Sequence, residues 1–251
     1  ARMTGDLGVN ASLQGFVVTD YIKTVMHDKP IRYRGGLIYF CKTPTYEELK
    51  FVFNELMFPS YKFFFVYFSD DSCYATHTPN GVFRCNVDIS SCDGSHGAST
   101  FNGFVHLFNG QVRDDVQILV DQCTLPIRVY DLADDSRKRY VQLTPHEPKL
   151  YSGSTMTTAI NGFANICIAI QLFIDQVSDP ASLVSSAEKV GYMVECDVAD
   201  DPVKLQFLKH SPVRDTWGAW QPVLNLGVLL RLSGTCKFDL PGRGPWKPRG
   251  Q

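Results

Sequence analysis

Two apolar runs of strand-like length stand out in the first half of the chain, and each leads into acidic residues. The first run and the apolar residues beyond Ser69-Asp70-Asp71 predict a hairpin over 61–78. Residues 82–89 predict a further strand, which carries Asp88 near its end and is followed by Asp93. Strands that end in carboxylates can place several oxygen atoms around one point, as divalent cations require.

Helical spacing of apolar residues follows Thr43-Pro44-Thr45, a sequence typical of a helix start. Glu47 and Glu48 fall in the first turn, where acidic side chains complement the helix dipole, and Pro59 ends the pattern. The apolar positions of this predicted helix are Leu49, Val52, Phe53, Leu56 and Met57.

The rest of the chain gives weaker patterns. Residues 1–36 are polar and glycine-rich and are assigned no element. The other predicted elements are a strand at 37–40, a helix over 97–123, strands within 127–150 around a charged tip at 134–139, a helix from the loop at 152–155 to about 173, a mixed segment at 187–198, a short strand at 203–208, a helix over 220–232 and a disordered tail at 241–251.

Composition indicates an ordinary globular protein. The 251 residues are 44% hydrophobic and 20% charged, enough for one large domain or two small ones. The start at Ala1 suggests a piece of a longer polypeptide. The longest apolar run, 162–174, carries Asn165 and Gln171 and is too short to predict a membrane helix.

Charge and cysteine spacing exclude two simpler functions. The net charge of −2 argues against a free-standing nucleic-acid binder, which is usually basic. The eight cysteines include no CxxC pair, so we expect free thiols in a reducing compartment rather than a zinc site.

Three polar segments form a more specific constellation than any of them alone. They are Asp88-x4-Asp93, Ser152-Gly153-x3-Thr157-x3-Asn161 and the Ser69-Asp70-Asp71 turn. Thr157, Asn161 and Asn165 are spaced four apart, which places them on one face of the predicted helix. A polar stripe on an apolar helix is unexpected for packing alone.

Together these segments resemble motifs A, B and C of the viral RNA-dependent RNA polymerase palm. Their order here is C, A, B, similar to the order in the permuted polymerases of birnaviruses and permutotetraviruses. The amino-acid sequence around motif A and after motif B is similar to that of tetravirus and nodavirus enzymes. Ser69 stands where the commoner motif has glycine, and the basic motif F is mostly missing. The resemblance implies an α+β right-hand palm, an antiparallel sheet with helices on one face and permuted connectivity.

The resemblance also implies a division of the chain. Its parts are a fingers-proximal segment with the first palm helix at 1–60, a palm at 61–212 (motif C 61–78, A 82–97, B 150–173, D 187–198, E 203–210), and the start of the thumb with a flexible tail at 213–251.

Roles for individual residues follow from the same resemblance. Asp88, Asp70 and Asp71 would be catalytic and would hold Mg²⁺, with Mn²⁺ as an alternative. Asp93 and Asn161 would read the ribose 2′-hydroxyl. The remaining nucleotide-binding positions are Ser152 and Gly153, as a mobile loop, and Thr157, as a support for Asn161. Lys189 and Lys204 both qualify as the general acid for pyrophosphate.

The implied partners are an RNA template with primer or product, nucleoside triphosphates, and the fingers and thumb of a longer polymerase chain, with no membrane segment. The implied location is the cytoplasm of an infected cell or the virion.

Several alternatives stay open. Asp200-Asp201 is the rival candidate for motif C. It follows the motif B segment, as the common motif order requires, but Pro202 comes next and cannot donate a hydrogen bond to a returning strand.

His96 is expected to be a surface or hydrogen-bonded residue rather than a ligand. The chain could instead be another two-metal enzyme, such as a reverse transcriptase or nuclease, or a non-catalytic scaffolding domain whose acidic clusters are only turns.

Overall fold

The computed structural model describes residues 8–130 and 139–229, and its elements alternate between helices and strands. The helices are α1 (Gly8–Asp28), α2 (Tyr46–Met57), α3 (Cys92–Ser95), α4 (Ala98–His106), α5 (Gly110–Gln122), α6 (Thr157–Asp175) and α7 (Pro180–Lys189), with a 3₁₀ turn at Pro202–Lys204. The strands are β1 (Ile31–Tyr33), β2 (Gly36–Phe40), β3 (Phe63–Phe68), β4 (Asp71–Thr78), β5 (Gly81–Ile89), β6 (Ile127–Tyr130), β7 (Tyr140–Leu143), β8 (Val194–Val198), β9 (His210–Arg214) and β10 (Trp220–Leu224).

A six-stranded, mostly antiparallel sheet organises the fold in the order β1-β2-β3-β4-β5-β8. Only the β2–β3 pairing is parallel among its neighbouring strands. Strands β3 and β4 form a hairpin whose turn is Ser69-Asp70, and β5 follows antiparallel to β4. The hairpin predicted at 61–78 and the strand predicted at 82–89 are therefore confirmed, as is the α+β class.

Helices cover both faces of this sheet, rather than one face as the sequence analysis predicted. Five consecutive residues of β3, 63–67, are buried, so both faces of that strand need a cover. Phe63, Phe65 and Tyr67 pack in the cluster that contains α6, whereas Phe64 and Val66 pack in the cluster that contains α2. Alternation along a strand sends successive side chains to opposite faces, and the aromatic run supplies apolar surface to each.

Helix α2 forms where the sequence predicted it. The Thr45 hydroxyl caps it by accepting a hydrogen bond from the Glu48 backbone N–H at 3.2 Å. All five predicted apolar positions are buried against the sheet.

Helix α6 lies on the other face and is the core helix of the fold. Within the described part of the chain it is the one helix whose length and composition would allow it to cross a membrane, which the sequence analysis did not expect. However, 56% of the apolar window is buried inside the protein, against the sheet and α4. A core helix meets the same two criteria, so this observation is weak evidence for a membrane span.

Several predicted elements differ in the structure. Residues 8–28 form α1, although no element was predicted there. The helix predicted over 97–123 is broken into α4 and α5, because Asn109 starts a new helix from an extended conformation. The segment at 187–198, for which a mixed pattern was predicted, contains the end of α7 and strand β8.

The two elements predicted near the C-terminus are wrong in type. In place of a strand at 203–208, Asp201 caps a 3₁₀ turn that Pro202 begins, since proline favours the first position of a helical turn. Residues 220–224 are strand β10, paired with β9, and helix begins only at residue 226. The tail at 241–251 and most of the tip at 134–139 lie outside the described residues.

The contact between β2 and α6 gives a packing test. A Cβ atom added at Gly36 would lie 2.4 Å from Cε2 of Phe173, whose buried ring stacks on Phe63 with centroids 5.1 Å apart. Because neither ring can move freely, we expect Gly36→Ala to lower the free energy of unfolding by about 1–3 kcal/mol in urea titrations.

Gly103→Ala is the matched control for this prediction. The added Cβ would sit 3.4 Å from the Phe163 ring, an ordinary contact, inside helix α4. Alanine is favoured over glycine in a helix by about 0.5–1 kcal/mol, so this variant should be as stable as the parent or more so. An equal loss in both variants would contradict the assigned contact.

Candidate active site

Two acidic residues face each other across the strands that follow the hairpin turn. Asp71, the first residue of β4, is the register partner of Asp88 on β5. Directly opposed residues of antiparallel strands point to the same face, with Cβ atoms about 4.5–5.5 Å apart. Asp70 precedes Asp71 in the turn, so three acidic residues lie at this end of the sheet.

A further acid, Glu195 on β8, is the register partner of Asp88 on its other side. It lies on the same face of the sheet and is exposed. Glu195 was not among the predicted site residues, because the register of β8 against β5 is a long-range property that the local pattern at 187–198 does not contain.

Crowding of these carboxylates alters their acidity. The pKa of Asp71 is raised from its ordinary value, first by burial of its carboxyl and then by the negative charges of Asp70 and Asp88. The positive charge of Lys209 and a backbone hydrogen bond from Leu208 act in the opposite direction. Lys209 was also missed as a site residue, and it lines a cavity of about 480 Å³ together with Asp71.

On the other face of the sheet, Asn161 of α6 joins two of the predicted motifs. Its Nδ2 donates to Oδ1 of Asp93 at 2.9 Å and to Oγ of Ser69 at 3.3 Å. Asp93 reaches this position because residues 90–91 turn the chain after β5 and α3 begins at once. The hairpin turn, the segment after β5 and helix α6 therefore converge on one amide.

Asn165, one helical turn further along α6, fixes the hairpin turn. Its Nδ2 donates to the carbonyl oxygens of Ser69 at 2.8 Å and Asn161 at 3.0 Å. The side chain is fully buried, and its Oδ1 has no hydrogen-bond partner among the described residues.

Ser69 occupies a left-handed backbone conformation, with φ of 53°. Glycine adopts such a conformation without the steric cost of a Cβ atom, which accounts for the commoner glycine at this position. Here the hydroxyl and carbonyl of serine both accept hydrogen bonds from α6.

His96 is hydrogen-bonded as predicted, but it is not a surface residue. It is 1% exposed, and its Nε2 lies 2.7 Å from Oδ1 of Asn161. Burial lowers the pKa of the imidazole, which keeps the ring neutral near pH 7.

The loop before α6 holds the other predicted nucleotide-binding residues. Ser152 and Gly153 form a turn in which Gly153 has φ of 93°. The hydroxyl of Thr157 donates to the carbonyl of Tyr151 at 3.2 Å, so its hydrogen bond supports this loop rather than Asn161.

The rival acidic pair lies at the other end of the sheet. The backbone N–H of Ala199, just before Asp200, donates to the carbonyl of Arg84, and Asp200 lines a cavity with Arg84. Arg84 is four residues from Asp88, or about 13 Å along the strand. The side chain of Asp201 caps the following 3₁₀ turn.

The two candidate lysines differ in position. Nζ of Lys189 pairs with Oδ2 of Asp175 at 2.9 Å, and Asp175 is 14 residues, or about 21 Å of helix, beyond Asn161. The carbonyl of Lys204 instead accepts a hydrogen bond from Asn86, two residues before Asp88. The choice between the two lysines as the general acid stays open.

The acidic residues at the turn would hold a magnesium ion only together with a further ligand. Among the described residues, no group of three or more His, Cys, Asp or Glu side chains forms a ready-made metal site. The opposed pair Asp71 and Asp88 with neighbouring Asp70 is instead an open set of carboxylates. Mg²⁺ is commonly bound by one or two carboxylates together with substrate phosphates.

Comparison with known proteins gives only weak structural likeness. No protein-family model matches the chain, and no curated protein sequence matches it. Among solved structures, the chain is similar to a chain of the birnavirus VP1–VP3 complex, with a TM-score of 0.47 and 10% identity over 67% of this chain. The match spans 27% of the length of that chain. At this level of similarity it does not define the fold or the activity of this protein.

Replacement of Asp71 by Asn tests the crowding of the carboxylates. The pKa of such a carboxyl is higher in the folded protein than in the unfolded chain. It therefore stabilises the fold at pH values below its pKa in the unfolded chain, and this stabilisation is lost as the pH rises through its pKa in the folded protein. We therefore expect Asp71→Asn to raise the free energy of unfolding at pH 7 without divalent cations, and the gain to shrink toward about pH 4.

Urea titrations at the two pH values measure this effect. Asp200→Asn removes one negative charge at the remote end of the sheet and serves as the control. A loss of stability in Asp71→Asn at neutral pH would mean that the carboxylates do not repel one another as described.

Proposed function

We propose that this chain is the catalytic palm of an RNA-dependent RNA polymerase with its motifs in the permuted order C, A, B. The observation that carries the proposal is the convergence on Asn161 of Ser69 from the hairpin turn and Asp93 from the segment after β5. These contacts join three segments that are distant in sequence, and packing alone does not require the polar residues that make them.

In the proposed reaction, Asp88, Asp70 and Asp71 hold the catalytic cations. When bound, Mg²⁺ or Mn²⁺ would lower the pKa of the primer 3′-hydroxyl and neutralise charge on the nucleotide phosphates. Burial and then the negative charges of Asp70 and Asp88 raise the pKa of Asp71, and cations would relieve the repulsion among these carboxylates. Lys209 adds a positive charge on the same side.

Asp93 and Asn161 are proposed to recognise the ribose. The 2′-hydroxyl can both donate and accept a hydrogen bond, and it is the group that distinguishes RNA from DNA precursors. The Asp93 carboxylate offers an acceptor to such a group, and Nδ2 of Asn161 would donate to it in place of its 3.3 Å bond to Ser69. Ser152 and Gly153, in the loop before α6, are proposed to contact the template or the incoming base.

The proposed partners are an RNA template and primer, nucleoside triphosphates, and the fingers and thumb of a longer polymerase chain. The net charge of −2 supports this division, because a chain that bound RNA alone would need more basic surface.

Two alternatives make different predictions. A reverse transcriptase or nuclease has no need for a ribose-reading pair such as Asp93 and Asn161. A scaffolding domain has no need for a cation at its acidic turns, and its stability should not depend on divalent metal.

Cation binding gives the first test. Ions that bind the folded state alone raise its melting temperature. We expect millimolar Mn²⁺ or Mg²⁺ to raise the melting temperature of the parent chain, and Asp88→Asn to remove most of that rise. Asp200→Asn should keep it. A melting curve of the parent that does not respond to Mn²⁺ would favour the scaffolding alternative.

RNA synthesis gives the second test, in the protein with any natural flanking sequence it has. Asp70→Ala should abolish template-directed incorporation of ribonucleotides, because the cations would lose a carboxylate ligand. Asp200→Ala should leave the rate near that of the parent. The opposite result would assign the metal site to Asp200-Asp201 and restore the common motif order.

A further inference from the structure

A chain of buried polar side chains runs behind Asn161, and the proposed reaction does not use it. The hydroxyl of Thr100 on α4 lies 2.9 Å from that of Tyr192, which lies before β8. The Tyr192 hydroxyl is 3.2 Å from Nδ1 of His96, and Nε2 of His96 is 2.7 Å from Oδ1 of Asn161. His96 and Asn161 are each 1% exposed, so water does not supply substitutes for these bonds.

The direction of each hydrogen bond is set from the Asp93 end. A carboxylate accepts hydrogen bonds, so the Asn161 amide must turn its NH₂ group toward Asp93, as it does. Its Oδ1 is then buried and needs a donor, and the nearest candidate is Nε2 of His96. A neutral ring with its proton on Nε2 has Nδ1 free to accept, and the Tyr192 hydroxyl can donate to it.

Apolar surroundings hold the imidazole in place. The ring makes edge contacts with Phe101 and Tyr192, at centroid distances of 6.5 and 5.8 Å. The buried ring therefore has a fixed orientation and a single hydrogen-bonding pattern that satisfies every partner. Such a ring is suited to orient a neighbour rather than to exchange protons with solvent.

We propose that His96 is a positioning residue that holds the Asn161 amide with its nitrogen toward Asp93, and that Tyr192 fixes the ring tautomer this requires. The inference deepens the proposed polymerase function and rests on it for its consequence, which is ribose selection. If the amide turned over, its oxygen would face the Asp93 carboxylate and Ser69, and the pair would lose the Nδ2 donor that the proposed ribose contact requires.

The tautomer can be tested without any enzymatic activity. Two-dimensional ¹H–¹⁵N spectra of the histidine rings in this chain should show His96 neutral and protonated on Nε2 near pH 7. A proton on Nδ1, or on both nitrogens, would overturn the inference, because His96 could not then donate to Asn161 while accepting from Tyr192.

Ribose selection tests the consequence in the active protein. His96→Leu should lower the ratio of ribonucleotide to deoxyribonucleotide incorporation on the order of tenfold, as expected for the loss of one buried hydrogen-bond donor. His96→Gln should restore most of the ratio, because the glutamine amide nitrogen can occupy the place of Nε2. His106→Leu, at the exposed histidine that bonds to the carbonyl of Asn102, is the control and should keep the parent ratio.

Tyr192→Phe serves as the second variant if His96→Leu does not fold. It keeps the ring and removes the donor to Nδ1, so it should shift the His96 tautomer and lower the ratio. Unchanged discrimination in a folded His96→Leu or Tyr192→Phe protein would overturn the positioning role. If the parent incorporates no nucleotides, the proposed function fails, while the ring spectra still decide whether His96 orients Asn161.

Discussion

The hydrogen bonds from Asn161 and Asn165 to the hairpin turn are the interactions on which the rest of the site depends. Both amides lie in an apolar core helix, where an unpartnered polar group is costly. Ser69 accepts a hydrogen bond from Nδ2 of each amide only if the turn sits against α6 in its observed place. The two amides therefore penalise any other docking of the hairpin, and they fix the position of Asp70 and Asp71 relative to Asp93.

Burial of the sheet on both faces determines where chemistry is possible. Cys73 on β4 is fully buried beneath α2, yet Asp71, two residues earlier on the same face, is exposed, although its carboxyl is desolvated enough to raise its pKa. The layer formed by α2 thus ends within two residues of the strand. The strand register keeps Asp71 and Asp88 next to each other at this uncovered edge.

Several of these strands and helix positions could be predicted from the local sequence pattern. The aromatic run in β3 predicted a strand, and the four-residue spacing of Asn161 and Asn165 predicted a polar face on α6; both are confirmed. Cation binding by the acids at the strand ends stays a prediction. Glu195, Lys209 and the burial of His96 could not be predicted, because each depends on which distant strands and helices become neighbours. The strand β10 was missed for the same reason, since its pairing with β9 overrides the helical spacing of its residues.

The position of the turn explains how two groups on opposite faces of a sheet can serve one reaction. Asp71 and Asp88 lie on the face covered by α2, whereas Asn161 and Asp93 lie on the α6 side. In the middle of the sheet, the backbone and side chains of two layers would separate them. At the Ser69-Asp70 turn the sheet ends, so a ligand that passes its edge would reach both groups. Under the proposed function, any shift of this one turn would alter the cation contact and the ribose contact together.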